Sequence, residues 1–218
     1  MYVTIFKFSI YNIYMEIIRH KKGNIFDSDM MTIVNTINCV GFMGAGLALE
    51  FSRRFPEMNE IYINKCKNGE IKIGKYFLYK ESKPWILNFP TKIHYKDPSR
   101  KEYIEEGIKY FVENYKEDNI SSIAFPQLGS SLGGLSWDND VLPIMNTHLD
   151  KLDDIEIEYY EYQYGISDKL FDKFYEKTKD FEIDDYKLYI NINKELAENI
   201  KKALGTNIRS MEDFAGVK

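Results

Sequence analysis

Twice along the chain a short run of strand-forming residues ends in a glycine-rich turn that opens into a helix, and this repeated order restricts the fold more than any other feature. Thr32–Asn38 (TIVNTIN) mixes β-branched and polar residues as strands do. Gly41, Gly44 and Gly46 follow it, and a helix is expected from about Leu47 until Pro56 ends or kinks it. Residues 122–125 (SIAF) read as a short buried strand, followed by Gly129, Gly133 and Gly134. Ser136 then caps a helix that carries Val141, Leu142, Met145 and Leu149 on one side, with Pro143 tolerated in its first turn.

The remaining elements continue the alternation. Residues 15–20, 75–80, 85–89 and 155–160 read as strands. Ser99-Arg100-Lys101-Glu102 has the form of a capping box, and behind it Ile104, Ile108, Phe111 and Tyr115 recur at helical spacing. Strands alternating with helices predict an α/β domain: a mixed, mostly parallel sheet flanked by helices on both faces. In such sheets ligands bind beyond the carboxyl ends of the strands, beside loops that begin helices. Both glycine-rich segments lie at that rim. From about Gln163 the texture changes to two amphipathic helices (residues 167–179 and 194–204) around a strand-like stretch at 187–192. We therefore expect one domain over residues 14–162 and a small C-terminal α/β extension over 163–218.

Composition narrows the function classes. Hydrophobic residues make up 44% of the 218 and charged residues 29%, the balance of a soluble globular protein. The formal net charge is -5, so any contact with nucleic acid requires a local basic patch. Cys39 and Cys66 have neither metal-ligand nor redox spacing, which suits a reducing cytoplasm. The three histidines are scattered, so neither a metal site nor a bound cofactor is expected. The apolar start over residues 1–15 is broken by Lys7 and lacks a small-residue cleavage site; it reads as neither signal peptide nor spanning helix. Met15 is an alternative start.

Three constellations carry chemistry. In the first, Asn35 and Asn38 end a strand before a turn with three glycines; glycines let backbone approach an anion, and helix N-terminal amides donate to it. The second, Gln127 to Leu135, places three glycines and two serines where they can wrap a diphosphate. Each alone is equally a plain strand–helix turn. Two at matching strand ends imply an extended ligand with phosphate in its middle, such as a nucleotide diphosphate sugar. In the third, Asn88-Phe89-Pro90-Thr91-Lys92-Ile93-His94-Tyr95, Lys92 stands where a strand becomes a loop, near Lys96, Arg100 and Lys101. It reads either as a solvated loop lysine or as an activated nucleophile. The cysteines, Trp85 and Trp137 read as packing residues.

The runs NTINCVGFMGAGLALEF (from Asn35), CKNGE (from Cys66), NFPTKIHY and PQLGSSLGGLSW, in that order, resemble macro domains of the DarG type, antitoxins that remove ADP-ribose from thymidine in DNA. The resemblance covers about residues 15–162. It implies that Asn24 and Ile25 sit beside the adenine. Asn35, Thr36 and Asn38, with Gly41, Met43, Gly44, Ala45, Gly46 and Leu47, would border the distal ribose and diphosphate. Leu128, Gly129, Ser130, Ser131, Leu132, Gly133 and Gly134 would close over the diphosphate, with Thr91 beside the reacting lysine. Lys92 matches the family's essential lysine, acting on the anomeric carbon, and Asn38 an asparagine that supports catalysis; no metal is implied.

The departures are Ala45, where a lysine is common among relatives, and Ser130-Ser131 in place of Cys-Gly. Gly133 stands where enzymes acting on protein carboxylates carry an acid, which favours a DNA substrate. The implied partners are ADP-ribose, ADP-ribosylated single-stranded DNA with Lys96, Arg100 and Lys101 on its phosphates, and a cognate ADP-ribosyltransferase toxin; no membrane is implied. The rival readings are a hydrolase of protein-linked or acylated ADP-ribose and an ADP-ribose reader without turnover.

Overall fold

The computed structural model describes residues 18–162, 168–206, 208 and 210–215. The expected strand residues 15–17, the apolar start with Met15, and residue 167 of the first tail helix lie outside them. The chain divides into two compact units, one of residues up to Lys21 with Ser28–Glu161, the other of Lys22–Asp27 with residues from Tyr162 onward.

The first unit is built on a six-stranded sheet in the order β1 (Ile18–Lys22), β6 (Glu156–Glu161), β5 (Ser122–Pro126), β2 (Thr32–Asn38), β4 (Trp85–Lys92), β3 (Phe77–Tyr79). β2 runs parallel to β4 and β5, and β5 parallel to β6, while β3 is antiparallel to β4 at the edge. Consecutive side chains of a strand point to opposite faces, so a strand buried along its length needs cover on both. β2 is buried at every position but Thr36, and β4 from Ile86 through Thr91. One face carries α3 (Lys101–Asn114) and α4 (Leu142–Leu149). There Val34, Leu87, Phe89, Ile123, Phe125 and Ile157 join Ile104, Ile108, Phe111, Met145 and Leu149 in a single core. On the alternate positions α1 (Gly46–Arg54) packs on β2, followed by α2 (Pro56–Lys67). Phe51, Met58 and Tyr62 of this pair are fully buried. Pro56 ends α1 as expected and opens α2, where its missing N–H costs nothing.

Two expectations are corrected. The capping box at Ser99 does not form: Arg100 occupies the N-cap of α3 without a side-chain bond, and the buried Ser99 Oγ has no partner. Ser99 instead packs against the second glycine loop, its N–H donating to Gly133 O at 2.9 Å. Ser136 does cap, accepting from Asn139 N, but the turn it opens is a π-turn over Trp137–Val141 before α4 begins.

In the second unit, α5 (Lys169–Thr178) is capped by Asp168, whose carboxylate accepts from Phe171 N at 2.6 Å and from Met211 N at 2.9 Å. Residues 187–192 are not a strand: a turn at Ile183–Asp185 runs into a π-turn over Tyr186–Ile190 that ends at Asn191 with φ 58°. A lone strand leaves its ladder groups unpaired, and this unit has no other strand among its described residues apart from the end of β1. Local helical bonds, started by the Glu182–Asp185 capping box, satisfy the backbone instead. α6 (Lys194–Leu204) and the short α7 (Met211–Ala215) complete it. Among the described residues no helix is long and apolar enough to cross a membrane.

One contact between layers gives a direct test. A Cβ on Gly107 of α3 would lie 2.2 Å from the Phe89 ring, and Phe89 is fully enclosed. Gly107→Ala gains up to ~1 kcal/mol of helix propensity but incurs ~1–3 kcal/mol of overpacking. The steric cost wins, so the variant is expected to unfold at lower urea. A midpoint at or above that of the wild type would refute this packing.

Candidate functional site

The site begins with register. β2 and β4 pair Asn35 with Asn88 and, after an irregularity at Ile37/Asn38, Asn38 with Lys92. Cys39 N continues the pairing to Ile93 O at 3.0 Å. The carboxyl ends of β2 and β4 therefore emerge side by side, with β5 parallel on the other side of β2. Both glycine loops and Lys92 leave the sheet at this one rim.

The first loop is built around Asn38. Its Oδ1 accepts from Val40 N (3.0 Å), Phe42 N (3.3 Å) and Tyr62 Oη (3.1 Å), and its Nδ2 donates to Phe42 O (2.6 Å). The Tyr62 hydroxyl also donates to Asn38 O at 2.8 Å. An amide nitrogen has two hydrogens, and only one of those on Asn38 Nδ2 is taken up by Phe42 O. Deeper in the strand Asn35 Nδ2 donates to Asn88 Oδ1 at 2.9 Å and approaches Met43 Sδ at 3.7 Å, which ties the loop's buried methionine to the sheet. Asn35 Oδ1 and Asn88 Nδ2 are buried without a partner. At the far end of the loop Ala45 takes the N-cap of α1 and offers no side-chain acceptor to the first-turn amides.

The second loop crosses left-handed backbone at Gly129 (φ 63°), Ser131 (φ 53°) and Gly134 (φ 82°). Gly133 is demanded by Ser99, whose Oγ would lie 2.7 Å from a Cβ there. Lys92 ties this loop to the sheet, its Nζ donating to Leu132 O at 2.7 Å. The Leu132 side chain reaches across to the first loop, its Cδ1 3.3 Å from where a Cβ of Gly46 would stand. The lysine amine thus touches the second loop at the residue whose side chain meets the first.

Of the residues singled out by sequence, Asn35, Thr36, Asn38, Gly41, Met43, Gly44, Ala45, Gly46, Leu47, Thr91, Lys92, and Leu128 through Gly134 lie on this rim or in the strands and turns that form it. Asn24 and Ile25 belong to the second unit, where Asn24 Oδ1 accepts from Phe26 N at 3.0 Å and Ile25–Asp27 form a 3-10 turn. Lys101 is paired with Asp140 at 2.6 Å, which removes it from the free cations expected at the rim. Trp137 packs edge-on against Tyr159. Sequence reading missed Tyr62, Asn88 and Ser99 as supports of the loops: each is distant in sequence from what it holds, and no local pattern marks it. Among the described residues no group of three His, Cys, Asp or Glu side chains is placed to hold a metal ion.

The two cysteines flank the first loop and are both free. Burial raises the Cys39 thiol, and burial pushes the Cys66 thiol up to about 11 against a smaller lowering by the Tyr62 hydroxyl. The thiolate is the nucleophile, so at pH 8 roughly a thousandth of Cys66 is reactive against roughly a quarter of an unburied thiol. Iodoacetamide should label Cys66 far more slowly than free cysteine at pH 8, and faster as pH rises toward 11. Labelling at the free-cysteine rate would show that the thiol is not held as described.

The chain matches the macro domain family over residues 34–145. It is 40% identical over 148 residues to a DNA ADP-ribosyl glycohydrolase of Thermus aquaticus, a match covering 66% of this chain and 41% of that protein. The macrodomain of Mycobacterium tuberculosis DarG is similar in structure, with a TM-score of 0.63 and 40% identity over 66% of this chain and 96% of that one. Thermosipho africanus DarTG in complex with ADP-ribose gives a TM-score of 0.62 and 38% identity, over 67% of this chain and 42% of that one. The chain thus spans about two fifths of the length of the curated relatives it matches. The two glycine loops and Lys92 lie within the matched residues, and the chain belongs to the macro domain family.

Proposed function

We propose that the first unit is an ADP-ribosyl glycohydrolase that releases ADP-ribose from thymidine in single-stranded DNA, with Lys92 acting at the anomeric carbon. The observation that supports this reading is the Lys92 Nζ donating to Leu132 O, an amine held against the second glycine loop at the rim from which the first also leaves. The Thermus relative is named a DNA ADP-ribosyl glycohydrolase, and the Thermosipho DarTG structure holds ADP-ribose. The pyrophosphate would take the first-turn amides of α1 and the turn around Ser130 and Ser131, while Asn38 offers its remaining N–H to the distal ribose.

The chemistry follows from placing the anomeric carbon at Lys92. The amine forms a bond to that carbon as the bond to the thymine nitrogen breaks, and the nitrogen takes up a proton. Water then cleaves the lysine adduct, giving free ADP-ribose and restoring the amine. The reaction as proposed uses neither metal nor cofactor and takes place in the cytoplasm, where two free cysteines stay reduced. The cognate partner in this reading is an ADP-ribosyltransferase toxin whose DNA product is the substrate, and residues 163–218 form an extension outside the catalytic domain of residues 14–162.

Two outcomes test it. Lys92→Ala should lower ADP-ribose release from a thymidine-modified oligonucleotide by about 1000-fold or more while keeping ADP-ribose binding within a few-fold, since a lost nucleophile removes a covalent step and not the loops. Release that survives the substitution would sink the lysine's role. Release only from modified protein would move the substrate, and binding without release by the wild type would make the chain a reader. Excess EDTA should leave the wild-type rate unchanged; a rate that falls and returns with a divalent cation would refute the metal-free step.

A further inference from the structure

The rim beside Lys92 carries an aromatic surface for which a sugar diphosphate gives no reason. Phe42, from the first loop, and Tyr95, three residues after Lys92, bring their rings to 4.6 Å, and His94 lies 4.3 Å from Tyr95 at an interplanar angle of 30°. Phe42 is 51% exposed and Tyr95 41%, and Val40 and Ile93 beside them are similarly open. Single exposed apolar side chains are ordinary, but a contiguous group marks a contact surface.

The rings are also held in place. A Cβ at Gly44 would come within 2.3 Å of the Phe42 ring, so the glycine lets that ring lie against the loop. Asn38 Nδ2 fixes the Phe42 carbonyl, and Cys39 N fixes Ile93 O just ahead of Tyr95. A ring ordered in advance while facing solvent loses little further freedom when a flat partner covers it.

One cation lies at Tyr95 itself and a second at Tyr103, at the start of α3. Lys96 Nζ lies 5.7 Å from the Tyr95 centroid and the Arg100 guanidinium 5.6 Å from that of Tyr103. Rings that stack flat groups, alternating with cations, complement a polyanion that presents a base with each phosphate. Tyr95 is at most about 11 Å along the chain from Lys92, within reach of a neighbouring nucleotide.

We propose that Phe42 and Tyr95 form a stacking platform for the nucleobase that flanks the modified one in single-stranded DNA, with Lys96 and Arg100 taking the adjoining phosphates. This assignment rests on the glycohydrolase reading for the position of the modified base. It explains how a chain of net charge -5 holds DNA: the platform and two local cations supply the affinity, and the whole-molecule field does not.

The test uses one glycosidic bond in two settings, ADP-ribosylated thymidine as a free nucleoside and within a short oligonucleotide. In Tyr95→Ala and Phe42→Leu, the ratio of kcat/KM for oligonucleotide over nucleoside should fall about 10-fold or more, through KM. Tyr95→Phe should restore it. An abasic site in place of the flanking base should reproduce the loss in the wild type and add nothing to it in Tyr95→Ala. An unchanged ratio, or equal losses on both substrates, overturns the platform. If the wild type releases ADP-ribose from neither substrate, the glycohydrolase reading has failed by itself. The platform then stands or falls on anisotropy with an unmodified oligonucleotide, whose affinity must drop in Tyr95→Ala and on removal of its bases. Affinity indifferent to both would assign the apolar patch to another occupant and refute the proposal.

Discussion

Parallel pairing of β2 with β4 is the constraint on which the rest of the first unit depends. It sets Asn35 opposite Asn88 and Asn38 opposite Lys92, and it brings two strand ends out at one place. Parallel strands cannot be joined by a hairpin, so the chain must leave that rim through a loop and return along a helix. The crossover from β2 begins with the first glycine loop and α1. The segment after β4 carries Ile93 to Ser99 before α3. Lys92 thus owes its position to strand register, and the loops beside it are consequences of the topology.

Around that register the polar groups divide their labour. The Asn38 side chain accepts three hydrogen bonds and donates one, and its backbone carbonyl shares the Tyr62 hydroxyl, all within the first loop and its support from Tyr62. Such a concentration of bonds on one buried amide gives a loop without regular structure a single shape, because leaving any of these groups unpaired in the interior costs ~1–3 kcal/mol. Ser99 gives up the expected helix cap and braces the second loop at Gly133. The unpaired Asn35 Oδ1 and Asn88 Nδ2 remain beneath the site, held there by the burial of the two central strands.

Much of the architecture was legible in advance because local patterns dictate it. Residues 122–125 and Thr32–Asn38 carry strand chemistry, Pro56 ends a helix, and the glycines at 41, 46, 129 and 134 adopt the positive φ values that only glycine takes at little cost. Where reading failed, a tertiary partner decided. Residues 187–192 have the alternation of a strand but no neighbouring strand among the described residues of their unit beyond the end of β1, and residues up to Ile190 coil into a π-turn. Ser99 has the spacing of a cap but lies against a loop that arrives from some thirty residues later in the chain. Lys101, expected beside DNA phosphates, has a partner that the local sequence does not announce, Asp140 from the π-turn ahead of α4.

The sequence by itself determined the fold class and the residue types where the glycine loops leave the sheet, because periodicity, glycine placement and proline act over a few residues. Only the tertiary structure decided which of those residues meet. It brought Lys92 Nζ to Leu132 O, Tyr62 to Asn38, and the rings of Phe42 and Tyr95 to 4.6 Å. Those pairs are separated by tens of residues along the chain. Their approach is set by strand register and helix packing, which no window of sequence contains.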